Sequence, residues 1–135
     1  MATLKLEIVT PEAKIYSEDV DMVTLPGVEG EMGIYPMHVP LMTQVVAGEV
    51  AVRKGAQESH LAVGDGFVQI TGDRVAILTD MAIKSDDIDE AKAEEARKRA
   101  EARLQEKLSD EETASVQAAL AHSLAQLHVK RRTRR

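Results

Sequence analysis

No cysteine occurs among the 135 residues, so the chain has no disulfide framework and no thiolate chemistry, which suits the cytosolic side of a membrane. Tryptophan is absent too, and Tyr16, Tyr35 and Phe67 are the whole aromatic complement. A nucleic-acid-binding barrel needs rings for base stacking, so that class is excluded. The core must be aliphatic, each buried Val, Leu or Ile contributing about 1.5–3 kcal/mol. No apolar run is long enough to span a bilayer, and residues 1–10 lack the basic start and apolar centre of a signal peptide. Membrane association is therefore expected only through a partner. Catalytic motifs are missing as well: there is no Gly-x-x-x-x-Gly-Lys-Ser/Thr loop and no Gly-x-Ser-x-Gly elbow. His122 and His128 are spaced wrongly for two ligands on one helical face, and His38 and His60 read as surface or interface residues. The expectation is a non-enzymatic chain without metal or obligatory cofactor.

What is present divides into two parts. Up to Lys84 the chain alternates and turns. Leu4, Leu6 and Ile8 set a period of two, and Lys14–Ser17 and Val20–Leu25 read as the next strands. Leu41–Val46 is apolar enough for a strand covered on both faces. Glu49–Lys54, His60–Val63, Phe67–Ile70 and Arg74–Thr79 follow, punctuated by glycine turns. Many short strands at such intervals predict an all-β sandwich over residues 1–84.

From Ser85 the composition changes. Ser85-Asp86-Asp87 offers cap side chains, with Asp87 and Glu90 as a capping box, and no glycine or proline interrupts Ile88–Leu108. Ser109 and Glu112 form a second box. Ala93, Ala96, Ala100, Leu104 and Leu108 stripe the first helix, and Val116, Leu120, Leu124 and Leu127 stripe the second. Residues 85–135 thus predict an antiparallel helical hairpin, supported by pairs such as Glu94–Lys98 and Glu95–Arg99. Its apolar stripe is thin, so docking on the sandwich should gain little per residue. Either a fixed docked hairpin or a bistable one fits this pattern. Charge is uneven: the body is acidic, while Arg131, Arg132, Arg134 and Arg135 give the end a local excess of positive charge.

The densest stretch runs from Gly27 to Thr43. Its glycines permit unusual backbone angles, and Pro36 and Pro40 stiffen it, so Glu31, Tyr35 and His38 are displayed from a shaped ribbon. Within it, Gly30-Glu31-Met32-Gly33-Ile34-Tyr35-Pro36-Met37-His38-Val39-Pro40-Leu41 resembles the Gly-Glu-φ-Gly-φ-φ-Pro-Gly-His-Ala-Pro-Leu signature of the rotary ATP synthase epsilon subunits. Met37 departs from it, standing where the family has glycine, and Val39 departs mildly.

The resemblance implies a non-catalytic rotor component on the cytoplasmic face of a bacterial inner membrane. It would bind the gamma subunit through one side of the sandwich and meet the polar loops of the membrane ring of c subunits at its end. Glu31, Tyr35, His38, Met42 and Thr43 are the implied interface residues. It also implies a hairpin that extends to the catalytic alpha and beta subunits and obstructs ATP hydrolysis. There Lys130, Arg131, Arg132, Arg134 and Arg135 would pair with an acidic segment of beta.

Ile88-Asp89-Glu90-Ala91-Lys92-Ala93 resembles the family's Ile/Leu-Asp-x-x-Arg-Ala nucleotide motif, with lysine in place of arginine. Asp89, Lys92, Ala93 and Arg99 are thus the implied contacts for ATP as a regulatory ligand, weakened because lysine lacks the bidentate fork. The alternative reading is a nucleotide-sensing module for which the sandwich is a mere anchor. Helix capping explains the same aspartates without any ligand.

Overall fold

Leu4, Leu6 and Ile8 are wholly buried while their neighbours are half-exposed, and this alternation repeats along most strands of the computed structural model, which describes residues 2–133. The strands are β1 (Leu4–Val9), β2 (Lys14–Val20), β3 (Met22–Gly27), β4 (Gly30–Ile34) and β5 (Leu41–Val45). They continue as β6 (Gly48–Lys54), β7 (Gln57–Val63), β8 (Gly66–Thr71), β9 (Arg74–Thr79) and β10 (Ala82–Lys84). Neighbours follow the order β10-β7-β6-β3-β5-β8-β9-β1-β2, with β4 paired to β3. Every pairing is antiparallel except β1 with β9. The sheet wraps around an interior filled by Leu4, Leu6, Ile8, Leu25, Ile70, Ile77 and their neighbours, all of them strand residues. The expected all-β body and the two helices after it are both present.

Several expectations change in detail. Val20 closes β2, and the chain resumes pairing at Met22, so the expected Val20–Leu25 strand is split at Asp21. The glycine-rich ribbon begins as a hairpin: β4 pairs with β3 from Val23↔Ile34 to Gly27↔Gly30, and Gly30 takes φ 122°, which a side chain would resist. β5 is not covered on both faces, because Leu41 and Met42 are exposed. β10 has no period-2 signal of its own and exists by pairing with Leu61–Val63.

The first helix also starts later and ends earlier than expected. Ser85–Asp87 forms a single 3-10 turn, so Asp87 is not the cap. Asp89 is: its Oδ1 accepts the Lys92 N–H at 3.1 Å, and α1 runs Glu90–Arg103. The second capping box forms as expected, Glu112 N–H donating to Ser109 Oγ at 3.1 Å and Ser109 N–H to Glu112 Oε1 at 3.2 Å. Those bonds hold the Glu112 carboxyl below its ordinary range and start α2, Asp110–Thr133.

The two helices pack together, and α2 lies on the outer face of β6 and β7. Ala125 and Val129 meet Ala62, Ile88, Met81 and Ile83 there. Ser123 and Leu127 are buried about half a turn round from them, on the side away from the sheet. Of the expected α2 stripe only Leu127 is buried, and Leu124 is exposed, because α2 is gripped on two sides and a single-stripe reading cannot represent that. No helix among the described residues is long and apolar enough to cross a membrane.

Candidate functional site

Two surfaces carry the chemistry, one bare and one covered. The bare surface starts at the loop from Tyr35 to Pro40, whose two prolines leave few ways to connect β4 to β5. Met37 adopts φ 67°, the left-handed region, and its N–H donates to Asp73 Oδ1 at 3.2 Å. His38 Nδ1 lies 2.6 Å from the Val39 carbonyl oxygen, so the tautomer with its hydrogen there donates locally and leaves the rest of the ring outward. Tyr35, Met37 and Val39 are exposed, and Met37 is the most open large apolar side chain among the described residues at 79%. From this loop β5 presents Met42, and one cross-strand row places Phe67 opposite both Gln44 and Leu78. Phe67 and Leu78 are both more than half exposed. An exposed phenylalanine in a chain with so few rings marks a contact face more strongly than scattered surface leucines do.

Met37 explains its own oddity. A left-handed conformation costs an L-residue about 1–2 kcal/mol, and the greater unfolded-state freedom of glycine returns roughly half of that. Met37→Gly is thus expected to stabilise the fold by about 0.5–1 kcal/mol, read from the midpoint and slope of a urea unfolding curve. A lower midpoint would show that the side chain holds the loop in place.

The five implied interface residues do not lie together. Tyr35, His38 and Met42 belong to the bare surface. Thr43 shares the inward parity of Val45 and is only part-exposed. Glu31, paired opposite Pro26, faces a cleft shared with Thr24, Glu49, Ala51, His128 and Arg132, on the hairpin side of the sandwich.

The covered surface is where the basic end of α2 is held. Lys130 Nζ donates to the Ser85 carbonyl at 3.1 Å, and Thr133 Oγ1 lies 2.6 Å from Ser85 Oγ. Arg131 spans the two helices, Nε to Glu90 Oε2 at 2.9 Å and an NH2 nitrogen to Glu94 Oε2 at 3.0 Å. Arg132 reaches back to the sheet, 2.9 Å from Glu49 Oε1. The Glu94 carboxyl is held below its ordinary range, chiefly by its hydrogen bond from Arg97 and further by Arg131. Arg131 and Arg132 are raised, by their bonds to Glu90 and Glu49 respectively. Glu94 therefore pairs with Arg97 and Arg131 and not with Lys98 as the helix spacing suggested, and Arg97 also bonds Glu101. Arg134 and Arg135 lie outside the described residues.

The implied nucleotide contacts all lie on α1 or at its cap and differ in exposure. Asp89 is occupied as the α1 cap, Ala93 is buried, and Lys92 and Arg99 are exposed. Two pairs that spacing does not reveal sit at the hairpin instead. His122 Nε2 lies 3.1 Å from Asp80 Oδ1, and His60 Nδ1 lies 3.1 Å from Glu49 Oε2, the carboxylate that also holds Arg132.

Comparison with known proteins places the same two parts side by side. Residues 3–85 match the family described as ATP synthase, Delta/Epsilon chain, beta-sandwich domain, and residues 86–131 match its long alpha-helix domain. The chain is 44% identical over 136 aligned positions to the ATP synthase epsilon chain of Dehalococcoides mccartyi strain CBDB1, covering 100% of this chain and 97% of that one. It is 41% identical to the epsilon chain of Laribacter hongkongensis, covering 94% and 92%. Its fold is similar to a chain in the mitochondrial ATP synthase of Euglena gracilis, with TM-score 0.77 and 24% identity over 95% of this chain and 81% of that one. A central stalk/c-ring structure from Tetrahymena thermophila gives TM-score 0.63 at 11% identity, covering 96% and 99%.

Proposed function

The chain belongs to the delta/epsilon family of ATP synthase subunits, as a non-catalytic member of an enzyme complex, and we propose that it couples the membrane ring to the gamma shaft and restrains ATP hydrolysis through its C-terminal helices. The observation that carries the coupling half is the bare apolar surface from Tyr35 through Met42 to Phe67 and Leu78. A closed aliphatic sandwich keeps that surface rigid, as a part transmitting torque requires. The gamma subunit is its occupant along β5, β8 and β9, and the Tyr35–Pro40 loop with His38 faces the polar loops of the c ring. The complex then sits on the cytoplasmic face of a bacterial inner membrane, held there by its partners.

The regulatory half rests on the composition of the hairpin–sandwich contact. Its apolar part is small, two alanines and single Ile and Val residues flanked by Met81 and Ile83, and the remainder is polar: the Arg132–Glu49 ion pair and the hydrogen bonds of Lys130 and Thr133 to Ser85. Such a contact is weak enough to exchange for another. When the hairpin extends toward the alpha and beta subunits, Lys130, Arg131 and Arg132 become available to an acidic segment of beta. A regulatory nucleotide at Asp89, Lys92, Ala93 and Arg99 would have to displace the Asp89 cap and draw two exposed cations inward, so the brake is the stronger reading.

Phe67→Glu with Leu78→Glu tests the coupling half. Both side chains are exposed, so the fold should persist by circular dichroism, while affinity for the gamma subunit should fall about a hundredfold or more, as for the loss of two interface anchors. Unchanged affinity would place gamma elsewhere on the sandwich.

A further inference from the structure

The bare surface carries two of the chain's six methionines, Met37 and Met42, which are 79% and 66% exposed. Three others are part-buried and packed. Met32 Sδ lies 3.0 Å from where a Cβ on Gly27 would stand, and Met22 Cε lies 3.1 Å from one on Gly33. Met81 Sδ is met by the Gln126 side-chain amide at 3.8 Å, against the cluster of Ala62, Ala125 and Val129. Met1 lies outside the described residues. We propose that Met37 and Met42 are sites of reversible thioether oxidation by hydrogen peroxide, and that the sulfoxide at Met42 weakens attachment of the chain to the gamma subunit. The effect on attachment rests on the coupling reading above; the selective oxidation does not.

With no cysteine in the chain, thioethers are its only sulfur. In the step, a sulfur lone pair attacks one oxygen of hydrogen peroxide, and an S–O bond forms as the O–O bond breaks. The departing hydroxide takes the proton of the transferred hydroxyl. Methionine and hydrogen peroxide thus give methionine sulfoxide and water, sulfur losing two electrons and the peroxide gaining them. Peroxide must reach the sulfur and water must solvate the leaving hydroxide, so the rate follows exposure and the fold sets which residues react. A methionine sulfoxide reductase reverses the step, the oxygen leaving as water while a dithiol is oxidised to its disulfide.

Met42 stands on β5 opposite Gln69, whose other neighbour is Ala76. Two residues along, the next row on the same face is Gln44, Phe67 and Leu78. Met42 is therefore the large apolar side chain of its row, as Phe67 and Leu78 are of theirs. A sulfoxide there carries a strongly polarised S–O bond. In the free chain water solvates it, so the fold is untouched. Against an apolar partner surface with no donor, it costs what any unpaired polar group costs on burial. Met37 holds its loop through a backbone N–H to Asp73 and not through its side chain, so its oxidation leaves the loop standing.

The test treats the full-length chain with hydrogen peroxide and follows each methionine by peptide mass spectrometry. Met37 and Met42 are expected to gain one oxygen about tenfold faster than Met22, Met32 and Met81, in line with their exposure. Affinity of the oxidised chain for the gamma subunit should then fall about tenfold, the size of one lost interface contact. The fall should persist in Met37→Leu, vanish in Met42→Leu, and be reversed by the reductase with a dithiol. Equal oxidation of all five methionines, or a fall that survives Met42→Leu, overturns the proposal. So does unchanged affinity after oxidation where Phe67→Glu with Leu78→Glu still abolishes binding. If that double variant also binds gamma normally, the coupling reading is what fails, and the selective oxidation of the two thioethers stands.

Discussion

A catalytic head depleted of this subunit is expected to bind the chain truncated after Lys84 and to continue hydrolysing ATP at its full rate, while the full-length chain slows hydrolysis by about five- to a hundredfold, the usual span of a coupling between two sites. The truncated form should fold, because every residue of the main core lies in a strand and none in a helix. Removing the helices uncovers Ala62, Met81 and Ile83, a small apolar loss that leaves the interior closed. The bare face with Phe67 and Leu78 lies on other strands, so gamma binding should be retained. Equal suppression by both forms would remove the hairpin from the mechanism.

Gln in place of Arg131, Arg132, Arg134 and Arg135 refines the same assay. Arg132 holds α2 to the sheet and Arg131 holds it to α1, besides supplying charge to the extended state. Their loss should therefore loosen the hairpin and still weaken inhibition. Stronger inhibition from this variant would mean that docking, and not contact with beta, is what these arginines serve.

Ile77→Ala should have the largest effect on stability. Ile77 is fully buried in β9 and pairs with Val68 on one side and Ile8 on the other, at the parallel junction of β9 with β1. Hydrogen-bonded neighbours on both sides prevent the backbone from closing the void. The expected cost is about 3 kcal/mol or more, within the range for large-to-small core changes. For a chain of this size that lowers the melting temperature by roughly 10–15 °C. A fall of only a few degrees would show that the two edges of the sheet, β2 and β10, can move together to fill it.

Much of this was legible in local spacing. Leu4, Leu6 and Ile8 announce a half-buried strand by alternation alone, and Ser109 with Glu112 announces a helix start because both bonds of the box span three residues. The resemblance carried by Gly30–Leu41 reached further than any periodicity, since it joined a backbone shape to a kind of partner. Those features depend on neighbours in the chain.

What the tertiary structure decided depends on residues far apart in it. Asp89 displaced Asp87 as the cap because β10 pairs with β7 and carries the chain extended to Lys84 before a single 3-10 turn. Met42, Phe67 and Leu78 are bare, and Ala62 is covered, because α2 lies on β6 and β7 and leaves β5, β8 and β9 open; alternation gives every strand two faces and does not say which one a helix takes. His122 meets Asp80, and Arg132 meets Glu49, only when the hairpin docks. By itself the sequence determined the sandwich, the hairpin and the family, all written in near-neighbour chemistry. Only the fold decided which face is free and which charges are paired, because long-range contacts are set by packing and not by spacing.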